Sequence, residues 1–386
     1  MRSVSIIGIG TTPFSVLEGK SLKEIATMAC VEAINDARIA KEDIQTFYLG
    51  NYCSGILVGQ ETIAPLVANS VGLRKETPCT KIEGACCSAG IAFRDAFLMV
   101  AAGVCDFALA AGVEKMTSVS TAKATEGLAS AMDQEYEART GLTFPGFFAM
   151  VARRHMYEFG TTIEQLGMVS VKNHNNGVVN PRARFRNKVT LDEVMNSRLI
   201  ADPLKLYDCC PISDGAAAAV LCPTEIARQF TDKPIEIVGS AHTLGYATMY
   251  EMDSVTTILP TVLAAKQAFE MAGLKPGDID VAELHDCFTM AEIVDSEDLG
   301  FFEKGRGGPA VEEGLTQVGG KIAINPSGGL LSKGHPVGAT GIGQVYEIVK
   351  QLRGEHENQV RGAEIGLAHN LGATGQVATV HILRRR

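Results

Sequence analysis

The sequence predicts an α/β fold of two pseudo-symmetric halves, with sheets and helices in layers, plus an inserted loop region. Three observations carry this. Strand-like and helix-like segments alternate along the chain, the pattern of a sheet covered by helices. The order helix, turn, strand recurs, with Ala-Arg-Ile-Ala-Lys-Glu-Asp-Ile at 37–44 matched by Ala-Gly-Leu-Lys-Pro-Gly-Asp-Ile at 272–279. Each half also sets a glycine-rich turn between an extended segment and an apolar helix, at 84–90 and at 325–343. Two copies of one design make halves, whereas a solenoid would repeat many times.

Residues 3–9 are a mostly apolar run closed by Gly10 and read as a buried strand. Residues 21–37 have helical spacing, and Ser21 with Glu24 forms a capping box. A turn then leads into a second strand near Thr46. Residues 80–83 are extended, the Cys86 turn opens a helix to about Ala102, and residues 105–112 form a strand. Residues 116–206 break the pattern and read as an inserted, loop-rich region with helices at 147–159 and 162–174. The chain returns to the first half at 207–232, with a buried strand at 216–221. The second half, 233–386, repeats the scheme: a strand at 235–240, a helix at 261–272, and a strand ending near Asp286. An extended segment at 321–324, the long glycine-rich loop, a helix to about Leu352 and a strand at 363–369 complete it. The first half is thus 1–115 with 207–232 returning to it.

At 386 residues the chain exceeds the usual single-domain range of roughly 100–200. A net charge of −9 argues against nucleic acid as a partner, because such binding needs Lys and Arg to neutralise phosphates. A small anionic ligand remains compatible with it. The ten cysteines follow no zinc or disulfide spacing, which predicts reduced thiols in a cytoplasm. No apolar run reaches the roughly 18–20 residues of a membrane span. The start MRSVSIIGIGTTPF breaks too early for a secretory signal, and HILRRR is no peroxisomal address.

Cys86 sits near a helix start, where unpaired N–H groups favour thiolate, a good nucleophile toward a carbonyl. His335 lies among six glycines in 325–343. The run Leu284 to Phe288 places His285, Asp286 and Cys287 at a strand's C-terminal end, where open α/β sheets put ligand chemistry. His285 there can hold a water or a carbonyl oxygen, and Cys287 can move a proton. Together these residues point to Cys/Cys/His chemistry on an acyl group. Their spread does not fit a metal site, whose ligands cluster in short-spaced pairs. Arg182, Arg184, Arg186 and Lys188 alternate with other residues and read either as a solvated basic face or as a phosphate contact. Phe144, Phe147 and Phe148 read either as packing or as the lining of an acyl pocket.

Five motifs in order, EGACCSAG (83–90), DCCPISDGAAAA (208–219), ELHDCF (283–288), NPSGGLLSKGHPVGATG (325–341) and HNLGATG (369–375), resemble the thiolases. The likeness is to their sterol-carrier-protein-2-type and archaeal-type branch. It implies the thiolase fold and action on 3-oxoacyl-CoA, by cleavage with CoA or condensation with acetyl-CoA, through a cysteine acyl-enzyme. By motif position, Cys86 would carry the acyl group, Cys87 would be structural, and His335 would activate Cys86. Cys287 would be the second acid/base, and His285 would help form an oxyanion hole for the incoming thioester. Backbone N–H groups of Cys86 and Gly372 would form a second hole. Contacts to CoA would fall to Cys210, Arg182, Arg184, Ser327 and Gly328. The resemblance further implies coenzyme A as substrate with no tightly bound cofactor or metal, and a homodimer or dimer of dimers. It also allows a small zinc-finger/OB-fold companion protein, and implies neither nucleic acid nor membrane as partner. Competing readings are a thiolase for a bulky or aromatic 3-oxoacyl-CoA, a related condensing synthase, and a non-catalytic acyl-CoA-binding scaffold.

Overall fold

A computed structural model describes residues 2–386. Its strands are β1 (Val4–Thr11), β2 (Thr46–Gly50), β3 (Cys79–Ile82), β4 (Ala108–Glu114), β5 (Leu199–Ala201), β6 (Leu204–Lys205) and β7 (Gly215–Pro223). They continue with β8 (Ile235–Leu244), β9 (Val281–Glu283), β10 (Ala323–Ile324), β11 (Ile365–Gly372) and β12 (Val377–Arg385). Ten of them join in the order β10-β9-β11-β12-β8-β1-β7-β4-β2-β3. The order is a palindrome of roles. In the first set β2 pairs parallel with β3 and β4, β4 pairs antiparallel with β7, and β7 antiparallel with β1. In the second, β9 pairs parallel with β10 and β11, β11 antiparallel with β12, and β12 antiparallel with β8. The sets meet where β1 and β8 pair antiparallel, from Val4 opposite Ile237 to Ile6 opposite Ile235.

Small residues in β4 and β7 let helices lie close on both faces: every residue of ALAAGVE and GAAAAVLCP is buried. The Ser88–Ala101 and Thr340–Arg353 helices share one core between the two sets, through Phe93, Phe97, Ile342, Val345 and Val349. On the outer faces, the Leu22–Asp36 and Ile63–Val71 helices cover the first set and the Leu259–Ala272 helix covers the second. The result is helix, sheet, helix, sheet, helix. The first helix starts as its sequence predicts, with Ser21 and Glu24 in a reciprocal capping box.

The two central helices lead to the chemistry. Each is preceded by a single tight turn, Ala85–Cys87 and Val337–Ala339. The turns converge on Gly112 at the end of β4, where a Cβ would lie 2.3 Å from the Gly338 carbonyl oxygen and 2.6 Å from Ala89 Cβ. Only glycine lets both loops close on that strand.

Between β4 and β7 the chain is more helical than its Gly and Asn content predicts. Helices occupy Thr121–Ala129, Phe144–Phe159, Ile163–Gly177 and Leu191–Met195. The second begins at Phe144, three residues before the expected start, because the Thr143 hydroxyl accepts from the Gly146 N–H and Pro145 fits the first turn. The third runs through the Asn-rich segment, where Asn173 Nδ2 donates to Asp286 and Glu292 and Asn176 Nδ2 to the Asn325 carbonyl. No helix among the described residues is long and apolar enough to cross a membrane.

Candidate active site

A cavity of about 350 Å³ opens where these elements meet, and Cys86, His285, Cys287, His335, Cys210 and Ala373 all line it. The Cys86 sulfur and a ring nitrogen of His285 and of His335 lie within 4.8 Å of one another. The two imidazoles stand edge to face, with centroids 4.9 Å apart and planes at 81°. Residues more than 240 positions apart in the chain thus form one constellation. A wider surface groove of about 790 Å³, between Glu32, Tyr346 and Arg353, is lined by neither cysteine nor histidine.

The turn bearing Cys86 is strained and braced. Ala85 has φ 51°, and its N–H donates to Glu83 Oε1 at 2.6 Å. Ser88 Oγ accepts from Gly84 N–H at 3.0 Å and donates to the Ala85 carbonyl at 2.6 Å. Five non-glycine residues among those described have positive φ, and three of them, Ala85, Asn325 and Ala373, border this site. Strain held by surrounding bonds is common where a side chain must be aimed.

His285 and Cys287 are fixed by a buried network behind them. Asp286 points away from the cavity, accepting from Leu330 N–H at 2.7 Å and Asn173 Nδ2 at 2.7 Å. Asn173 also donates to Glu292, which pairs with Lys172 at 2.7 Å and accepts from Asn325 Nδ2. Asn325 Oδ1 in turn accepts from Leu284 N–H at 2.8 Å. Burial holds Asp286 up at about 8. Cys210 is tied to the same strand end through its N–H, which donates to the Cys287 carbonyl at 3.0 Å.

The electrostatics differ from the expected thiolate. Burial, reinforced by the neighbouring Cys87, pushes the Cys86 thiol up to about 12, against the opposing pull of the Ala373 N–H. Burial lowers His335 to about 3 and holds His285 well below its ordinary value. Cys287 and Cys210 are both raised well above theirs, again by burial first. These shifts favour neutral thiols and neutral imidazoles in the cavity near pH 7. The helix start is outweighed because both sulfur and imidazole are shut from water.

Ala373, the residue after Gly372, turns its N–H toward the Cys86 sulfur. Gly372 serves close packing, since a Cβ there would lie 2.5 Å from the Gly84 carbonyl oxygen. Ser327 is buried away from the cavity, its Oγ donating to Glu283 Oε2 at 2.6 Å. Gly328, at φ 102°, packs its backbone on Gly177. Arg182 binds the Thr11 carbonyl and pairs with Glu32 at 2.7 Å, and Arg184 donates to the Ile212 carbonyl. Both guanidinium groups brace loops and do not line the cavity. Cys87 is fully buried, with its thiol on the Asn370 carbonyl at 3.3 Å. Phe144 lines the cavity, while Phe147 and Phe148 are core.

Sequence reasoning missed the Lys172–Asn173–Glu292 bracing, because an Asn-rich segment signals loop unless its partners are known. It also missed Thr340 and Asn370, which contact the two imidazoles at 2.7 and 2.9 Å. Both stand inside the quoted motifs, where the glycines and histidines drew the attention. Cys86, His285 and His335 form a soft donor set that could hold a divalent metal ion.

Comparison with known proteins agrees with this geometry. Residues 4–225 match the family model "Thiolase, N-terminal domain" and residues 241–385 match "Thiolase C-terminal domain-like". An acetyl-CoA acetyltransferase of Methanothermobacter thermautotrophicus is 51% identical over 386 residues, covering 100% of both chains. Sterol carrier protein 2 of Bos taurus is 36% identical over 97% of this chain and 71% of its own. Among solved structures, an Ltp2–ChsH2(DUF35) aldolase superposes with a TM-score of 0.86 at 29% identity, over 99% of this chain and 97% of that one. Human mitochondrial 3-ketoacyl-CoA thiolase in complex with CoA shares the fold, with a TM-score of 0.76 at 19% identity over 100% and 98% of the two chains. With both halves matched in sequence and fold, the chain belongs to the thiolase family, acyltransferases that work on acyl-CoA thioesters.

Proposed function

We propose that the protein interconverts acetoacetyl-CoA and acetyl-CoA, carrying the acyl group on Cys86. The observation that bears most weight is the convergence of Cys86 with His285 and His335 within 4.8 Å, on a cavity that Cys287 also lines. In cleavage, Cys86 sulfur attacks the 3-oxo carbonyl as its proton passes to His335. The carbon–carbon bond breaks, and the departing enolate takes a proton from Cys287, whose raised thiol starts as the acid. The Cys287 thiolate so formed takes the proton of the incoming CoA thiol, whose sulfur takes the acyl group from Cys86, and the Cys86 sulfur regains its own proton from His335. His285 supports the thioester oxygen as the enolate forms, and Ala373 N–H supports the oxyanion at the acyl-enzyme.

The full-length similarity to acetyl-CoA acetyltransferases favours this substrate over a bulky or aromatic one, and favours an enzyme over a scaffold. Arg182 and Arg184, two of the groups expected to grip CoA phosphates, are committed to protein partners. A small OB-fold companion would help hold CoA, and the aldolase among the structural neighbours is itself an assembly of Ltp2 with ChsH2(DUF35). A homodimer and a reducing cytoplasm complete the reading, the latter in keeping with ten free cysteines.

Acetyl-CoA alone should place one acetyl group on Cys86, visible by peptide mass spectrometry, and should exchange it with labelled CoA. Purified protein that shows neither behaves as a scaffold and defeats the proposal. The pH response is a second test. His335 must be neutral to take a proton, and burial lowers it to about 3 from an ordinary 6.5. Protonation of His335 should therefore not slow acylation through the 6.5 region, and should slow it only as the pH falls toward 3. Rates of Cys86 acylation after brief pH jumps would reveal this. An acid limb centred near 6.5 that His335→Gln abolishes would contradict it.

A further inference from the structure

The two imidazoles in the cavity are alike in burial and lie side by side, yet the proposed chemistry asks opposite things of them. One must accept a proton and the other must donate a hydrogen bond. A neutral imidazole does one at each nitrogen, so the outward behaviour of a ring is set by what its other nitrogen touches.

His335 Nδ1 lies 2.7 Å from Thr340 Oγ1. The Thr340 hydroxyl lies 3.1 Å from the Pro336 carbonyl, to which it can only donate. Its single proton is then used, so it accepts from His335 Nδ1–H, and Nε2 is left as a bare lone pair. His285 Nδ1 lies 2.9 Å from Asn370 Nδ2, an amide nitrogen with protons to give and no lone pair to offer. There Nδ1 must accept, and Nε2 carries the hydrogen. All four side chains are buried, so water does not compete for these nitrogens.

We propose that Thr340 and Asn370 are positioning residues that lock the two imidazoles in opposite tautomers, His335 as an acceptor and His285 as a donor. The inference rests on the proposed roles of His335 as base and His285 as oxyanion donor. It adds the reason that the roles cannot be exchanged. It also disfavours a metal ion on the Cys86, His285 and His335 donor set, since a protonated Nε2 is no ligand.

The test begins on the unmodified enzyme. Long-range ¹H–¹⁵N spectra of ¹⁵N-histidine-labelled protein, assigned with His335→Gln and His285→Gln, should show His335 protonated at Nδ1 and His285 at Nε2. The opposite tautomer at either ring overturns the proposal, whatever the activity. Two substitutions then ask what the lock does. Thr340→Val keeps the shape but removes the acceptor, so kcat should fall roughly 10–100-fold with KM within about threefold. Thr340→Ser, which restores the hydroxyl, should stay within about threefold of the parent. Asn370→Asp turns the donor into an acceptor and should invert His285. Carbon–carbon bond chemistry should then slow by about 100-fold while acylation of Cys86 by acetyl-CoA changes little. Full activity in both Thr340→Val and Asn370→Asp would sink the lock. The roles themselves fail separately, if the tautomers are as stated but Cys86→Ala still turns over.

Discussion

Cys86→Ala is expected to remove acyl transfer altogether, a loss of roughly 10⁴–10⁶-fold in kcat, the scale seen when a covalent nucleophile is deleted. The substitution leaves the fold in place, because Cys86 is small, buried and makes no side-chain bond that holds its turn. Glu83 and Ser88 do that work. The variant should therefore melt close to the parent, incorporate no acetyl group from acetyl-CoA and fail to cleave acetoacetyl-CoA. Cys87 adjoins it but cannot substitute, since its thiol faces the Asn370 carbonyl within the core. Turnover within tenfold of the parent would mean that the acyl group is carried elsewhere.

Cys287→Ala separates the two halves of the reaction. Cys86 and His335 are intact in it, so acetyl-CoA should still acetylate Cys86 at a near-normal rate. Cleavage and condensation should drop by about 10²–10⁴-fold, the usual contribution of a positioned acid or base. Mass spectrometry of the Cys86 peptide and a steady-state assay on the same sample give both numbers. Loss of acylation with normal carbon–carbon chemistry would reverse the division of roles between the two cysteines. Cys210 provides a control, because it lines the same cavity and its N–H holds the Cys287 carbonyl.

Much of the architecture was legible because it repeats. Each half carries the same strand and helix order, so the match between Asp43-Ile44 and Asp278-Ile279 placed equivalent strands before any contact was known. The residues that share the cavity were legible through composition: glycine clusters bracket Cys86 and His335, and titratable residues crowd at 285–287. Protonation was not legible. A helix start favours thiolate in isolation, and only the packed structure shows that burial dominates at Cys86. The CoA contacts were not legible either. Arg182 and Arg184 alternate as a phosphate site would, but their partners Glu32 and Ile212 lie 150 and 28 residues away in sequence.

The pairing of β1 with β7 and β8 has a consequence for synthesis of the chain. β1 leaves the ribosome before every other strand of this sheet, yet its sheet neighbours are at Gly215–Pro223 and Ile235–Leu244. At about 5–20 residues per second, its eventual partners follow after roughly ten to forty seconds. For that interval the buried run Val4–Thr11 has no strand beside it, only the Leu22–Asp36 helix on one face, and resembles an unpaired edge strand. The join between the two halves cannot form until β8 follows, and the pairs of β12 with β8 and of β11 with β9 wait for strands made later still, so the nascent chain, more than the finished enzyme, is where this protein is exposed to misassembly.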